Sequence, residues 1–373
     1  MNALIVSHAA IKSANRRIYR SLAKRGVNVT VVIPDAWKSG LGPVRAEAEP
    51  TDSALRVVTC KRIGMSHSNV YCLQSFDRIA RAARPDAVYV DEDPAGFVAA
   101  QAARATRRYG AGLVVLAIQN LIKRYPPPFN ALQQYVFDRA HVAVSVSEQA
   151  ASTLRARGFR GPMRAMPFCT DLVPPSSSAR DNVRNEYAIS GPTVGYVGRL
   201  VSEKGVDTFL QALALLPNVA GVIVGDGPER NTLEQLVASL ELGNRVRFLG
   251  AQPAKTAERL IGAFDAIALP SRTRQNWSEQ FGRILIEAMA SGVSVVASDS
   301  GAISEVLGNA GILVREDDVA GLANGLANAL DPISARTLRE RGIARVAERF
   351  SPNIETDALY NALVFSAAQG VYL

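Results

Sequence analysis

Short apolar runs of strand length alternate with helix-compatible stretches along this chain, and the alternation breaks once and then restarts. In the first half Ala3–Val6, Val27–Ile33, Ala87–Val90, Leu113–Ala117 and Val142–Val146 read as strands. Stretches 13–25, 73–83, 95–108 and 130–139 between them read as helices. Apolar strands separated by helices predict a parallel sheet covered on both faces, because parallel neighbours need a crossover. The pattern stops near Pro167, and 173–190, with Pro174, Pro175 and Ser176-Ser177-Ser178, reads as a linker. It resumes with Thr193–Leu200, Gly221–Gly225, Val246–Leu249, Ala266–Leu269 and Val293–Ala297. The expected fold is α/β: two Rossmann-like parallel-sheet halves, residues 1–172 and 191–349, with a ligand in the cleft they face. The tail 350–373 reads as a helix.

Composition removes several classes. No apolar run approaches the length of a membrane span, and the first residues read as a strand rather than a signal peptide. Three cysteines, Cys60, Cys72 and Cys169, without metal-like spacing predict reduced thiols and a cytoplasmic protein. Only His8, His67 and His141 are available, so no histidine-based metal site is expected. Residues 1–180 hold 25 Lys and Arg against 12 Asp and Glu, whereas 181–373 hold 17 against 22. A basic first half points to an anionic partner or surface. Lys12, Arg16, Arg20 and Lys24 recur every fourth residue, which on one helix makes a cationic stripe suited to an anionic membrane face.

Chemistry concentrates in the second half. In Ser278–Ala290, SEQFGRILIEAMA, Glu279 and Glu287 flank an apolar helix start entered at Gly282. Free N–H groups and the positive dipole end of such a helix attract anions, and two carboxylates beside it suit hydroxyls. The stretch describes a site for a nucleotide-sugar. Gly198-Arg199-Leu200 with Glu203-Lys204-Gly205 places two cations after a strand, where they can neutralise a leaving diphosphate. Gly225 and Gly227 follow another strand and read as a tight turn or a nucleotide contact.

These strings together resemble the retaining family-4 glycosyltransferases, which have the GT-B fold. The resemblance rests on E-x-F-G-x-x-x-x-E followed by AMASGVSVVASDSG, on GRLVSEKG, and on GDGP. It implies that Glu279 contacts the donor sugar, that Glu287 holds the ribose, and that Arg199 and Lys204 bind the diphosphate. It extends donor binding to Gly198, Gly225, Gly227, Phe281, Gly282, Arg283 and Ile284, and implies a tail that crosses back onto the first domain. The donor would carry uridine or guanosine diphosphate, and neither a cofactor nor a metal is expected.

The first half departs from the family pattern. The loop after the first strand, HAAIKS, lacks the paired glycines of many relatives, and Gln119-Asn120 stand where many carry a histidine. Asp91-Glu92-Asp93 follow a strand and offer Glu92 and Asp93, with Gln119 and Asn120, as ligands for an acceptor hydroxyl. The expected activity is transfer of a sugar to a carbohydrate or lipid-linked acceptor in cell-surface polysaccharide or glycolipid assembly. The alternatives are a relative of altered chemistry, such as an epimerase or sugar-phosphate synthase, or a basic nucleic-acid binder. The last lacks any nucleic-acid motif, and strand one lacks the dinucleotide fingerprint of an oxidoreductase.

Overall fold

A computed structural model describes residues 1–370 apart from 40, 41, 51, 52, 68 and 124. They form two compact units, one of residues 1–167 with the segment from Pro352 onward, the other of Phe168–Ser351.

The first unit is built on a parallel sheet of β1 (Asn2–Val6), β2 (Asn28–Pro34), β3 (Arg56–Cys60), β4 (Ala87–Val90), β5 (Gly112–Ala117), β6 (Val142–Ser145) and β7 (Met163–Ala165). Their spatial order is β7-β6-β5-β4-β1-β2-β3. β4, β5 and β6 are buried along their whole length, and β1 and β2 beyond their first residue, which is why they read as apolar runs. Two short antiparallel pairs, Ala36–Ser39 with Gly42–Arg45 and Arg62–Gly64 with Tyr71–Leu73, stand apart from this sheet. The helix Pro352–Gly370 belongs to this unit and lies on β5. Gly112 allows that approach, since a Cβ there would stand 2.1 Å from the carbonyl oxygen of Ser366. Arg17 adds an ion pair to Glu355 at 3.4 Å, and Arg25 pairs with Asp357.

The second unit repeats the plan with β8 (Thr193–Val197), β9 (Ala220–Val224), β10 (Val246–Gly250), β11 (Ala266–Leu269), β12 (Ser294–Ser298) and β13 (Ile312–Val314), all parallel, in the order β10-β9-β8-β11-β12-β13. Its core joins Tyr196, Phe209, Leu210, Ile223, Ala266 and Leu326.

Two expectations are corrected. The stretch 173–190 is not an open linker, because Ser177–Glu186 is a helix packed on helix Ala254–Ala263. Ser176 caps it by accepting from the Ala179 N–H, and Arg180 and Arg184 pair with Asp265. The cationic stripe also fails. Residues 13–16 form a 3₁₀ turn and the α-helix covers only Arg17–Lys24, so the four-residue spacing does not align the cations. Arg16 is wholly buried, donating to the carbonyls of Ala10, Ile11 and Glu47 and pairing with Glu49 at 2.9 Å. Arg20 is committed to the same carboxylate at 2.6 Å. Only Lys12 and Lys24 of the four are exposed. Among the described residues no helix is long and apolar enough to cross a membrane.

Candidate functional site

In an open parallel sheet, a ligand site forms where two neighbouring strands send their following connections to opposite sides. In the second unit that point lies between β8 and β11, paired at Val194↔Ala266 and Gly195↔Ile267. The loops leaving their carboxyl ends therefore open side by side.

The loop after β8 carries Gly198, Arg199 and Lys204. It is fixed by Gly198 N–H to Val224 carbonyl (3.0 Å), Leu200 N–H to Asp226 carbonyl (3.0 Å) and Tyr196 hydroxyl to Arg199 carbonyl (2.7 Å). Burial, with Glu279 nearby, raises the Tyr196 phenol well above its usual range, so it remains a neutral donor. The close packing of this loop on the turn after β9 accounts for two of the glycines. A Cβ on Gly225 would lie 1.8 Å from the Gly198 carbonyl oxygen, and one on Gly227 2.3 Å from that of Leu200. Both support the loop from behind and do not line the cavity in front of it.

The loop after β11 brings Ser271 and Glu279. Glu279 is buried, and its Oε2 accepts from Ser271 Oγ at 2.8 Å and from Lys204 Nζ at 2.5 Å. The same ammonium lies 4.9 Å from the centre of the Trp277 ring. A cation shared by a carboxylate and an aromatic face is held in place while still bordering the cavity. Arg199 differs, being 57% exposed and only loosely paired with Glu203 at 3.9 Å.

Gly282 turns the chain into helix Arg283–Ala290 with φ of +76°, a conformation that suits glycine. Phe281 anchors this turn by driving its ring edge-on into Phe168 (5.2 Å) and Phe350 (5.7 Å). Arg283 and Glu287 lie one helical turn apart, 3.9 Å between charges. Burial raises the Glu287 carboxyl above its ordinary value, against the pull of Arg283. Gly198, Arg199, Lys204, Glu279, Phe281, Gly282, Arg283, Ile284 and Glu287 thus line one cavity of about 370 Å³. Each of its carboxylates has a cation beside it, Lys204 with Glu279 and Arg283 with Glu287, and the N-terminus of helix Arg283–Ala290 belongs to the same lining. That is the donor set for an anionic ligand rich in hydroxyls.

The first unit has its own such point, between β1 and β4, whose following loops hold His8 and Asp91-Glu92-Asp93. The carboxylates expected to bind a hydroxyl are already occupied there. Glu92 is buried; its Oε1 accepts from the His8 N–H (2.6 Å) and the Tyr71 hydroxyl (2.6 Å), and His8 Nδ1 stands 2.8 Å from both oxygens. Asp93 is also buried and takes Arg157 Nη2 (3.0 Å), Tyr125 hydroxyl (2.7 Å) and the Ala95 N–H (2.9 Å). Both act as supports for other residues. Asn120 is buried and reaches Gln149 at 3.4 Å, while Gln119 is half-buried. Asp91 accepts from Ser7 and Tyr19 hydroxyls, and burial pushes its carboxyl up to about 6. What the sequence reading passed over is His8. The available signal was its place directly after the first strand, matching that of Glu92 after Val90.

Comparison with known proteins follows the same division. Residues 179–345 match the model for Glycosyl transferases group 1, and residues 10–169 that for a Glycosyl transferase 4-like domain. The lipopolysaccharide core biosynthesis glycosyltransferase LpsE of Rhizobium meliloti is 31% identical over 50% of this chain and 53% of its own. A GDP-mannose-dependent alpha-(1-6)-phosphatidylinositol monomannoside mannosyltransferase of Mycolicibacterium smegmatis is 33% identical over 46% of this chain and 48% of its own. The matched region thus spans about half the length of these curated relatives. Anabaena HepE, solved with UDP and glucose, superposes with a TM-score of 0.75 at 19% identity, over 98% of this chain and 99% of that one. This likeness establishes the GT-B fold.

Proposed function

We propose that this chain, which belongs to the glycosyl transferases group 1 family, moves a sugar from a uridine or guanosine diphosphate sugar to an acceptor hydroxyl with retention of configuration. The observation that carries this reading is the convergence of Lys204, Arg199, Glu279 and Glu287 on one cavity with the N-terminus of helix Arg283–Ala290. Glu287 is placed to accept hydrogen bonds from ribose hydroxyls, and Glu279 from hydroxyls of the donor sugar. The diphosphate lies against the helix N-terminus, where the backbone N–H groups and dipole favour negative charge. As the glycosidic bond breaks, charge grows on the diphosphate oxygen. Lys204, already fixed by Glu279 and Trp277, neutralises it without reorganising, and the exposed Arg199 adds a second cation.

A UDP-bound fold neighbour and a GDP-mannose-dependent relative support a nucleoside diphosphate donor. Relatives acting in lipopolysaccharide core and on phosphatidylinositol monomannoside support cell-surface glycoconjugate assembly, with a carbohydrate or lipid-linked acceptor. No step in this reading is assigned to a metal. The test is incubation of the full chain with UDP-glucose and GDP-mannose and a set of simple alkyl glycosides as acceptors, following free nucleotide release and the anomeric configuration of the glycoside product by proton NMR. Retention of the donor's α-configuration is expected; an inverted product, or release of neither nucleotide, contradicts the proposal.

A further inference from the structure

Arg272 lies in the loop after β11, next to Ser271, and is buried although it carries a charge. A buried guanidinium is costly unless partners take up its donors, and here every partner lies outside its own loop. The backbone N–H of Arg272 donates to the Glu203 carbonyl at 2.9 Å, one residue before Lys204. Its Nη2 donates to Asp207 Oδ1 at 2.8 Å and to Thr208 Oγ1 at 2.6 Å, just after Lys204. Nε stands 2.7 Å from Asp317 Oδ1, in the loop after β13. Between the first two attachments Gly205 packs closely, since a Cβ there would lie 2.0 Å from the Pro270 carbonyl oxygen. One residue thus brackets the segment that carries Lys204 from both sides, and its neighbour Ser271 donates to Glu279 at 2.8 Å. Thr273 pins the other end of this stretch, its N–H and hydroxyl meeting the Glu316 carboxylate at 2.8 and 2.6 Å. With Asp207 and Asp317 beside it the guanidinium charge is compensated, and Arg272 is not among the residues lining the donor cavity. A cation meant to attract the diphosphate directly would face that cavity.

We propose that Arg272 is a positioning residue of the donor site: it fixes the loop after β8 against the loop after β11, so that Lys204 meets Glu279, and thereby sets affinity for the diphosphate rather than for the nucleoside. The inference rests on the donor reading above and concerns the second unit alone. Lys204 must reach Glu279 Oε2 and the face of Trp277 at once, so the place of its ammonium depends on where its backbone is held. An ammonium attracts phosphate as a point charge, and a displaced backbone weakens that attraction through distance. Lysine is no equivalent at position 272, because a single ammonium on a flexible stem lacks the rigid fork that serves Asp207, Thr208 and Asp317 together.

The test measures dissociation constants of the full chain for UDP and GDP, and for uridine and guanosine, by calorimetry. The proteins are wild type, Arg272→Met, Arg272→Lys, Thr208→Val, Lys204→Met and the double variant of Arg272→Met with Lys204→Met. Losing a well-placed hydrogen bond to a charged group changes affinity roughly tenfold. Arg272→Met is therefore expected to weaken the nucleotide that wild type binds by about tenfold, with the matching nucleoside unchanged. Arg272→Lys should restore only part of the loss. Thr208→Val keeps the shape and removes one acceptor, so it should show the same selectivity at smaller size, and it carries the test if Arg272→Met does not fold. Adding Arg272→Met to Lys204→Met should cause no further loss, because the effect passes through Lys204. Equal weakening of nucleoside and nucleotide, a further loss in the double variant, or unchanged nucleotide affinity overturns the proposal. If wild type binds none of the nucleotides, the donor reading fails, and hydrogen exchange then decides the positioning by itself. Faster exchange across 199–208 in Arg272→Met, with helix Arg230–Ser239 unchanged, supports it; unchanged exchange across 199–208 overturns it.

Discussion

Lys204 and Glu279 form the pair on which the donor cavity depends, and their coupling can be measured. Their side chains are 15% and 9% exposed, and the charges are 2.5 Å apart. At an effective dielectric of about 20 the gross attraction is roughly 7 kcal/mol, most of it offset by the cost of removing both charges from water. Removing one partner leaves the other buried without its counter-charge, which costs about 3–5 kcal/mol in a dry interior. With the pair bordering an open cavity, the low end applies. Lys204→Met is therefore expected to destabilise the second unit by about 3 kcal/mol, or about 6–12 °C in Tm for a unit of this size. Glu279→Gln should cost somewhat less, because Ser271 can still donate to the amide oxygen. The double variant should be more stable than the sum of the two losses by about 2 kcal/mol, since it strands no charge. Urea unfolding followed by Trp277 fluorescence in a Trp37→Phe background reads this locally, because those are the chain's two tryptophans. Losses that add to within about 0.5 kcal/mol would show that the two charges act independently and refute the pairing argument.

Three further outcomes follow from other parts of the molecule. Gly225→Ala should weaken nucleotide binding at least tenfold by displacing the loop after β8, because its methyl would overlap the Gly198 carbonyl oxygen; titration with UDP and GDP checks it, and unchanged affinity contradicts it. For Glu49, burial opposes the charge, but hydrogen bonds from Arg20 and Arg16 hold its carboxyl down to about 2. Its stabilisation is thus present above the unfolded carboxylate range and lost as pH falls toward about 2. Glu49→Gln should cost about 2 kcal/mol at neutral pH, and urea unfolding should find the difference shrinking through that acid window. Asp91 titrates in the opposite sense: its raised value of about 6 means its contribution is present below the unfolded range and lost as pH rises through about 6. Asp91→Asn keeps an oxygen for Ser7 and Tyr19, so its Tm should exceed that of wild type above pH 7 and converge with it near pH 4.

The sequence disclosed what is local. Buried parallel strands appear as apolar runs, so β1, β2, β4, β5 and β6 and most of the second sheet lay within a residue or two of their expected places. β3 was missed because its residues are mostly half-buried or exposed, as befits a sheet edge, and the two antiparallel pairs are too short to show a period. The helix Ser177–Glu186 hid behind its own cap, since the serines and prolines before it look like a linker. Long-range partners were illegible. Arg16 read as a surface cation, yet it is buried because acceptors at Glu47 and Glu49, some thirty residues on, fold over it. His8 and Glu92 stand 84 residues apart and meet only because β1 and β4 are neighbours. The residues that line the second unit's cavity were readable together because they are compressed into short loops, GRLVSEKG and SEQFGR, each following one strand.

The measurement that tests the account most directly is thermal unfolding of the full chain across a panel of uridine, guanosine, adenosine and cytidine diphosphates and their sugars, for wild type and Glu287→Ala. At a hundred times its dissociation constant, a ligand adds about 2.7 kcal/mol, or roughly 5–11 °C for a unit of this size. The account predicts such a shift with uridine or guanosine nucleotides and its loss in Glu287→Ala. No shift with any nucleotide, or an equal shift in the variant, would contradict the placing of a donor in the cavity between Lys204 and Glu287.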